Sequence, residues 1–438
     1  MPINYSTTTY GSTADCSTML HHWLIQKKSF YQAVKTDPVL SMFYKKLMRN
    51  QGIGQTDIVK LHMGNTHQTM AIGEADAFIT SANSGKPAVV DSSAILNKTL
   101  TSRLALSGKQ KRALDKEFEK ITGETLNDAT SEFVDSFKNN LLRCVVNDGT
   151  GFLSYAYNAS SSTTVYLQDK DGNNLDSGHW IWNFLYPGMI VDVVTYATGV
   201  NITNGLDNII TAVTPASGTI TLTTAVTADT AATYMIRYTT PWTDNGTSAT
   251  TALQVEPDGI AGMVYSGNTH NSGATVSYLG KSATTYPRWT SNTIDAGTNA
   301  SLTVKLLDQA IYRVQGTPNV IMCDPAVISQ FKYEAEAMKK LVPTDDASLG
   351  YKRVTYMSSK GPIVLIDPYY LYGTKRCYVL DTSTFLTKGT VFEPQMQRGA
   401  LTLNQTNDIW FDDAISEYEN ICVQRNANTY IYDLQAAW

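Results

Sequence analysis

The sequence predicts an α+β fold carrying an inserted small all-β domain, and three stretches of its 438 residues support that class. A long amphipathic helical pattern runs from Ser107 to Asn147. Short strand patterns separated by turn residues occupy Ser160 to Trp242, and the final third alternates strand and helix patterns.

In chain order, Ser17 to Arg49 reads as an arm of one or two short helices broken at Asp37-Pro38, with Trp23, Phe30, Phe43 and Leu47 among its apolar anchors. From Asp57 to Leu106 the composition becomes strand-like at both ends, IVKLHM and PAVVDSSAILNKTLTSRLAL, around a polar, glycine-containing middle. That is the pattern of an extended β-hairpin. A lone two-stranded hairpin buries too little of itself to be stable, so something outside it must cover it.

In Ser107–Asn147 the small or apolar positions Leu114, Phe118, Ile121, Thr125, Ala129, Phe133, Phe137, Leu141 and Cys144 recur every three or four residues. Charged residues occupy the other faces. The pattern predicts a solvated rod with a single apolar stripe, interrupted and bent at Gly123, and longer than the usual three to four turns. Ser160 to Trp242 follows as a small barrel or sandwich, its strands separated by turns such as DKDGNN and PASG. Beyond it, Ser301–Gln315 has helical spacing with Ser301 as the N-cap and Gly316 and Pro318 as stop signals. The strand NVIMC leads into Asp324-Pro325, an N-cap with proline at the first helical position, and a helix to about Lys340. PIVLID, RCYVLD, TVFEP, IWFDDAISEYENICVQR and NTYIYDL supply further strands of a mixed sheet.

Composition narrows the function classes. Charged residues make up 17% of the chain, against about 25% in an average soluble protein. Thr, Ser, Asn and Gly fill the difference. A polar, weakly charged surface suits burial against other proteins, because hydroxyls and amides that find partners are cheaper to desolvate than charges; ordinary Thr-rich strands give the same composition. The net charge of −5 argues against a dedicated nucleic-acid binder. Within the arm, however, Lys27, Lys28, Lys35, Lys45, Lys46 and Arg49 face only Asp37. They form either a solvated helix face or a non-specific contact for a polyanion. The five scattered cysteines imply neither zinc nor a disulfide framework and fit a reducing compartment. There is no signal-peptide core and no apolar run long enough for a membrane span.

No chemistry-bearing motif emerges. The six histidines have no metal-ligand spacing, and phosphate-binding glycine loops and the GxSxG elbow are absent. Asp169-Lys170-Asp171-Gly172 reads as a hairpin turn, since its glycine stands too early for a calcium loop. The carboxylate pairs Asp345-Asp346 and Asp412-Asp413, with Glu334 and Glu336, read as solvated charges. No catalytic, cofactor or metal residue is expected.

An arm, a hairpin that cannot stand alone, a long helix and an α+β domain with a strand–DP–helix unit, in this order, resemble tailed-bacteriophage major capsid proteins of the Hong Kong 97-like fold. The resemblance covers nearly all of the chain except the all-β segment and rests on order and pattern. It implies an N-terminal arm at 1–56, an extended loop at 57–106, a spine helix in a peripheral-domain segment at 107–159, the insertion at 160–242, and remaining peripheral and axial domains at 243–438. It also implies pentamers and hexamers in an icosahedral virion shell around double-stranded DNA, assembled in a bacterial cytoplasm. Intersubunit contacts would then come from Met70, Ile72, Phe78 and Lys86 of the loop and Trp23 and Phe30 of the arm. Lys27, Lys28, Lys45 and Lys46 are the candidate DNA-facing residues. The partners implied are other copies of the chain, a portal, a decoration protein and, because the segment before the loop is shorter than the cleaved scaffolding segment of many relatives, a separate scaffolding protein. Lys–Asn cross-linking is not expected. Two alternatives remain open: an encapsulin-type shell of the same fold, and a β-rich glycan-binding adhesin or glycan-active enzyme with a helical stalk.

Overall fold

The computed structural model describes residues 37–44, 47–49, 56–62, 90–96, 98–107, 125–169, 172–196, 199–231, 233–239, 256–264, 277–279, 281–282, 286, 289–337, 341–345, 352–396, 402–404 and 409–435. Their elements, in order, are helix α1 (Pro38–Tyr44) and strands β1 (Leu47–Arg49), β2 (Thr56–His62), β3 (Val90–Leu96) and β4 (Lys98–Ser107). Next come helix α2 (Thr125–Val146) and strands β5 (Phe152–Gln168), β6 (Ile190–Thr195), β7 (Asn208–Thr214), β8 (Thr219–Ala228) and β9 (Tyr234–Tyr238). The short helix α3 (Ile260–Val264) precedes β10 (Ser277–Tyr278), β11 (Lys281–Ser282), β12 (Asn292–Ala300) and α4 (Val304–Arg313). The chain then forms β13 (Val320–Cys323), α5 (Pro325–Ala337), β14 (Leu341–Asp345), β15 (Lys352–Ser358), β16 (Gly361–Ile366) and β17 (Cys377–Leu380). It closes with β18 (Phe385–Met396), β19 (Thr402–Asn404), β20 (Ile409–Cys422) and β21 (Thr429–Leu434).

The chain divides into two compact units. The first comprises residues 1–51, 97–143 and 387–419. Its sheet has the order β1-β18-β20-β19, with β4 also paired to β20. The β4–β20 ladder is antiparallel from Lys98↔Tyr418 to Ser107↔Ile409. Lys98 and Glu419 form an ion pair at 3.5 Å. A side chain at Gly389 of β18 would meet the Glu417 carbonyl, so glycine is what allows the approach there. The described side of the expected Asp37-Pro38 break is a helix start at Asp37. Its carboxylate accepts the N–H groups of Val39 and Leu40, and Pro38 occupies the first turn, so the Asp-Pro pair opens α1.

The hairpin ends earlier than its composition suggests. β2 and β3 pair antiparallel from Thr56↔Leu96 to His62↔Val90. β4, read as the rest of the returning arm, belongs instead to the β20 ladder. Ser107, expected to open the long helix, is the last residue of β4; the described part of that helix is α2 from Thr125, and residues 108–124, with Gly123, lie outside the described residues. Phe137, Leu141 and Cys144 are buried as their spacing requires, but so is every residue from Leu141 to Val146. The last turns of α2 are therefore enclosed all round, not solvated on the other faces.

The second unit comprises residues 52–96, 144–386 and 420–438. In it, segment 256–264 covers the carbonyl end of α2. A side chain on Gly259 would collide with the carbonyls of Cys144, Val145 and Asn147. Gly149 has φ +79°, and its carbonyl accepts the Glu256 N–H at 3.0 Å. The chain thus leaves and returns at one point, and between lies a closed barrel of order β5-β8-β7-β6-β9. Every pair in it is antiparallel. The barrel's first strand starts at Phe152, ahead of the Ser160 read from the sequence. Register shifts near Asn158 and Ser162 let this one long strand pair with β9 at its start and with β8 at its end. Val165, Leu167, Val191, Val193, Ile210, Ile220, Leu222 and Ile236 fill the interior.

The other body of this unit is a mixed sheet of order β12-β21-β17-β13-β16-β15-β14. β12–β21 and β13–β16 are its parallel pairs. Its core packs Leu307, Ala310 and Ile311 of α4 and Val327, Ile328 and Phe331 of α5 against Ile321, Ile363, Val379 and Ile431. The N-cap of α4 is Thr303, whose hydroxyl accepts the Leu306 N–H at 3.2 Å, and not Ser301. Asp324 caps α5 as the Asp-Pro pair predicts, accepting the Ala326 N–H at 2.9 Å.

Candidate functional site

The residues proposed from sequence as contact points all lie outside the described residues: Trp23, Phe30, Met70, Ile72, Phe78 and Lys86, and the basic Lys27, Lys28, Lys45 and Lys46. His21, His22, His67 and His270 lie outside them too, whereas His179 is buried. Among the described residues no three His, Cys, Asp or Glu side chains come together as a metal site, and no helix is long and apolar enough to cross a membrane. Asp169, the first residue of the calcium-like loop, makes a turn: its carboxylate accepts the Asn173 N–H at 2.8 Å and pairs with Lys375 at 3.4 Å. Asp412 and Asp413 sit in the β4–β20 ladder opposite Leu104 and Arg103.

Polar and aromatic side chains gather at the joint between the barrel and the loop that joins β16 to β17. On the barrel side the run HWIWNFLYPG forms a short 3-10 turn, Trp180–Asn183, whose Trp180, Ile181, Phe184 and Leu185 close the barrel interior. On the sheet side PYYLYG forms a second turn, Tyr369–Leu371. Tyr370 and Tyr372 pack against the barrel core. The Trp180 and Phe184 rings meet the Tyr370 ring edge-on at 6.5 and 6.3 Å, and Asn183 donates to the Tyr369 hydroxyl at 3.0 Å.

His179 caps the barrel-side turn. Its Nδ1 accepts the Ile181 N–H at 3.3 Å, so in the neutral ring the proton is on Nε2. The ring presses on Gly373, where a Cβ would come within 2.4 Å of it; that residue, at φ +77°, must be glycine on both counts. Burial lowers the imidazole to about 4, with Asp169 pulling the other way. Below the loop, Asp324 accepts the Lys375 N–H at 2.8 Å. Burial raises its carboxyl to about 6 against the opposing effect of backbone N–H groups at 373–375. Arg376 lies among tyrosines of both bodies, Tyr155 and Tyr196 from the barrel and Tyr378 and Tyr430 from the sheet; burial works against its charge, and the tyrosines outweigh that and raise it.

A second buried polar cluster fixes the barrel's outer wall. Asp192 and Arg237, opposite each other on β6 and β9, approach to 3.7 Å with almost no exposure. Burial pushes the Asp192 carboxyl up and Arg237 down. The Asp207 N–H, the Thr239 hydroxyl and the mutual attraction oppose those shifts. In the joint and in this cluster the polar groups described are engaged in holding backbone and side chains in place. Sequence reading missed both. The density of aromatic residues in HWIWNFLYPG and PYYLYG was the visible signal, but nothing local in either run says that they meet.

No protein-family model matches the chain, and no curated protein matches it. Solved structures do. The capsid of cyanophage A-1(L) is similar at a TM-score of 0.49 and 10% identity, over 99% of this chain and 96% of that one. The capsid of the native GTA particle is similar at 0.41 and 8% identity, over 98% and 94%. The SrpI encapsulin of Synechococcus elongatus is similar at 0.27 and 13% identity, over 34% of this chain and 54% of that one.

Proposed function

We propose that this chain is the major capsid protein of a tailed phage, with a Hong Kong 97-like architecture, whose copies assemble into the pentamers and hexamers of an icosahedral head around double-stranded DNA. The observation that carries the reading is the rooted hairpin. β2 and β3 pair only with each other among the described strands, and Val59 and Leu61 are buried at this base. Residues 63–89 join the two strands in sequence. A connection of that length, rooted on a fixed base, suits contact with the next subunit, and heterologous contacts of this kind close into rings when the rotation is right.

In this reading the arm, the loop and the α2 spine precede the barrel, and the barrel is an insertion into the peripheral and axial domains. The hydrogen bond between Glu256 and Gly149, where the excursion begins and ends, supports insertion at that point. The role is structural, with no reaction to perform. Lys27, Lys28, Lys45 and Lys46 would meet the packaged DNA without sequence preference.

Negative-stain electron microscopy of the chain expressed with its genomic neighbours tests the proposal. Closed shells or hexamer sheets are expected, and DNA inside them separates a phage head from an encapsulin. Monodisperse monomers or trimers would overturn the reading. Deleting Met70–Ser84 should leave a folded subunit that does not assemble, whereas Leu141→Asp, at a position with no exposure, should prevent folding.

A further inference from the structure

We propose that His179 is a positioning residue that latches the barrel to the 368–376 loop, and that protonating it releases the barrel-side turn while both bodies stay folded. The geometry leaves the ring no room for a second proton. Nδ1 already accepts the Ile181 N–H, so a proton there would set two N–H groups against each other and uncap the Trp180–Asn183 turn. The ring cannot swing away on its other side, because the backbone of Gly373 lies against it. The same turn carries Trp180, and Phe184 follows directly; these rings engage Tyr370. Loss of the cap therefore acts on the contact that joins the two bodies.

The groups facing His179 come from every side of the joint. Asp169 at the end of β5 favours its charged form, but that carboxylate is also paired with Lys375. Asp176, whose carbonyl accepts the His179 N–H, directs its carboxylate to the Gly178 N–H. Trp180 and Tyr372 present rings at 5.6 and 6.4 Å. Asp324 stands behind the loop, bound to Lys375 N–H, and stays with the sheet when the barrel-side turn lets go.

The direction follows from linkage. Closed, the joint keeps the imidazole neutral down to about 4; open, the ring titrates near its ordinary 6.5. Protons therefore bind the open form preferentially, and the closed joint loses stability as pH falls from 6.5 towards 4. Asp324, raised to about 6, has the opposite sign wherever its burial changes, so a non-titrating cap is the control that isolates the histidine.

The test is amide hydrogen exchange on the full chain at pH 7 and 4.5, corrected for intrinsic rates, with His179→Gln and His179→Asn as caps that accept a hydrogen bond but do not titrate. Relative to those variants, the wild type should lose protection at Ile181, Trp182 and Phe184 on the order of fiftyfold more on acidification. The amides of β13 and β17 should remain protected. An identical pH response in wild type and variants would overturn the latch, as would loss of all protection in one step. If neither variant folds, C2–H exchange of the imidazole in the wild-type chain decides the matter. A midpoint between the closed value of about 4 and the open value of 6.5 is expected, because protonation is coupled to release; one at 4 or at 6.5 would overturn the proposal.

Discussion

The barrel draws all its strands from residues 152–238 and pairs each of them antiparallel, whereas the seven-stranded sheet gathers strands from Asn292 to Leu434 and lays two pairs parallel. The barrel solves its burial by closing on itself, and alternation along each strand is enough: Val191 and Val193 point in while Ile190 and Ile209, opposite each other, remain 48% and 42% exposed. The sheet cannot close. α4 and α5 cover one face and the residues of the other face are buried as well, so its central strands read as continuous apolar runs such as VIMC and CYVL. Self-contained closure tolerates surface change and removal as a module, while a sheet assembled from distant segments depends on every layer.

The largest expected effect follows from that dependence. Ile321, unexposed on β13 between β16 and β17, should lose about 2–5 kcal/mol on substitution by alanine. Ile209→Ala on the barrel's outer face should stay within about 0.5 kcal/mol. Denaturant unfolding of the two variants measures both, and equal losses would erase the contrast. Next in size is excision of residues 150–255 with Gly149 and Glu256 rejoined through two glycines. The sheet should still unfold cooperatively, but with its midpoint a few degrees lower, because Arg376 loses its neighbours Tyr155 and Tyr196 and Tyr370 loses Trp180 and Phe184. A chain that no longer folds would mean that barrel and sheet form one cooperative body. The smallest effect distinguishes the two candidate caps of α4: Thr303→Ala should cost about 1 kcal/mol and Ser301→Ala close to nothing.

Legibility in the sequence followed the range of the interactions. The Asp-Pro start of α5 was readable because the cap, the proline and the apolar spacing lie within one turn of each other. At Asp37-Pro38 the sequence expects a break between short helices, and the carboxylate's acceptance of Val39 and Leu40 N–H makes the described side of it a helix start. β4 has the composition of a hairpin arm, and only its pairing with β20, far away in sequence, assigns it elsewhere. The end of α2 looked amphipathic by residue type, yet burial there depends on a segment more than a hundred residues later whose Gly259 fits over its carbonyls.

By itself the sequence determined local features such as the Asp324-Pro325 helix start and the turn at PASG, because capping and turn chemistry act within a few residues. It also determined the low share of charged residues, which composition sets before any fold forms. The tertiary structure alone decided which strands pair, that the barrel's entry and exit meet at Gly149 and Glu256, and that HWIWNFLYPG and PYYLYG close on each other around His179. Those outcomes depend on packing between residues far apart in the chain, where steric fit at single atoms, such as the absent Cβ of Gly373, selects one arrangement from many that local pattern allows.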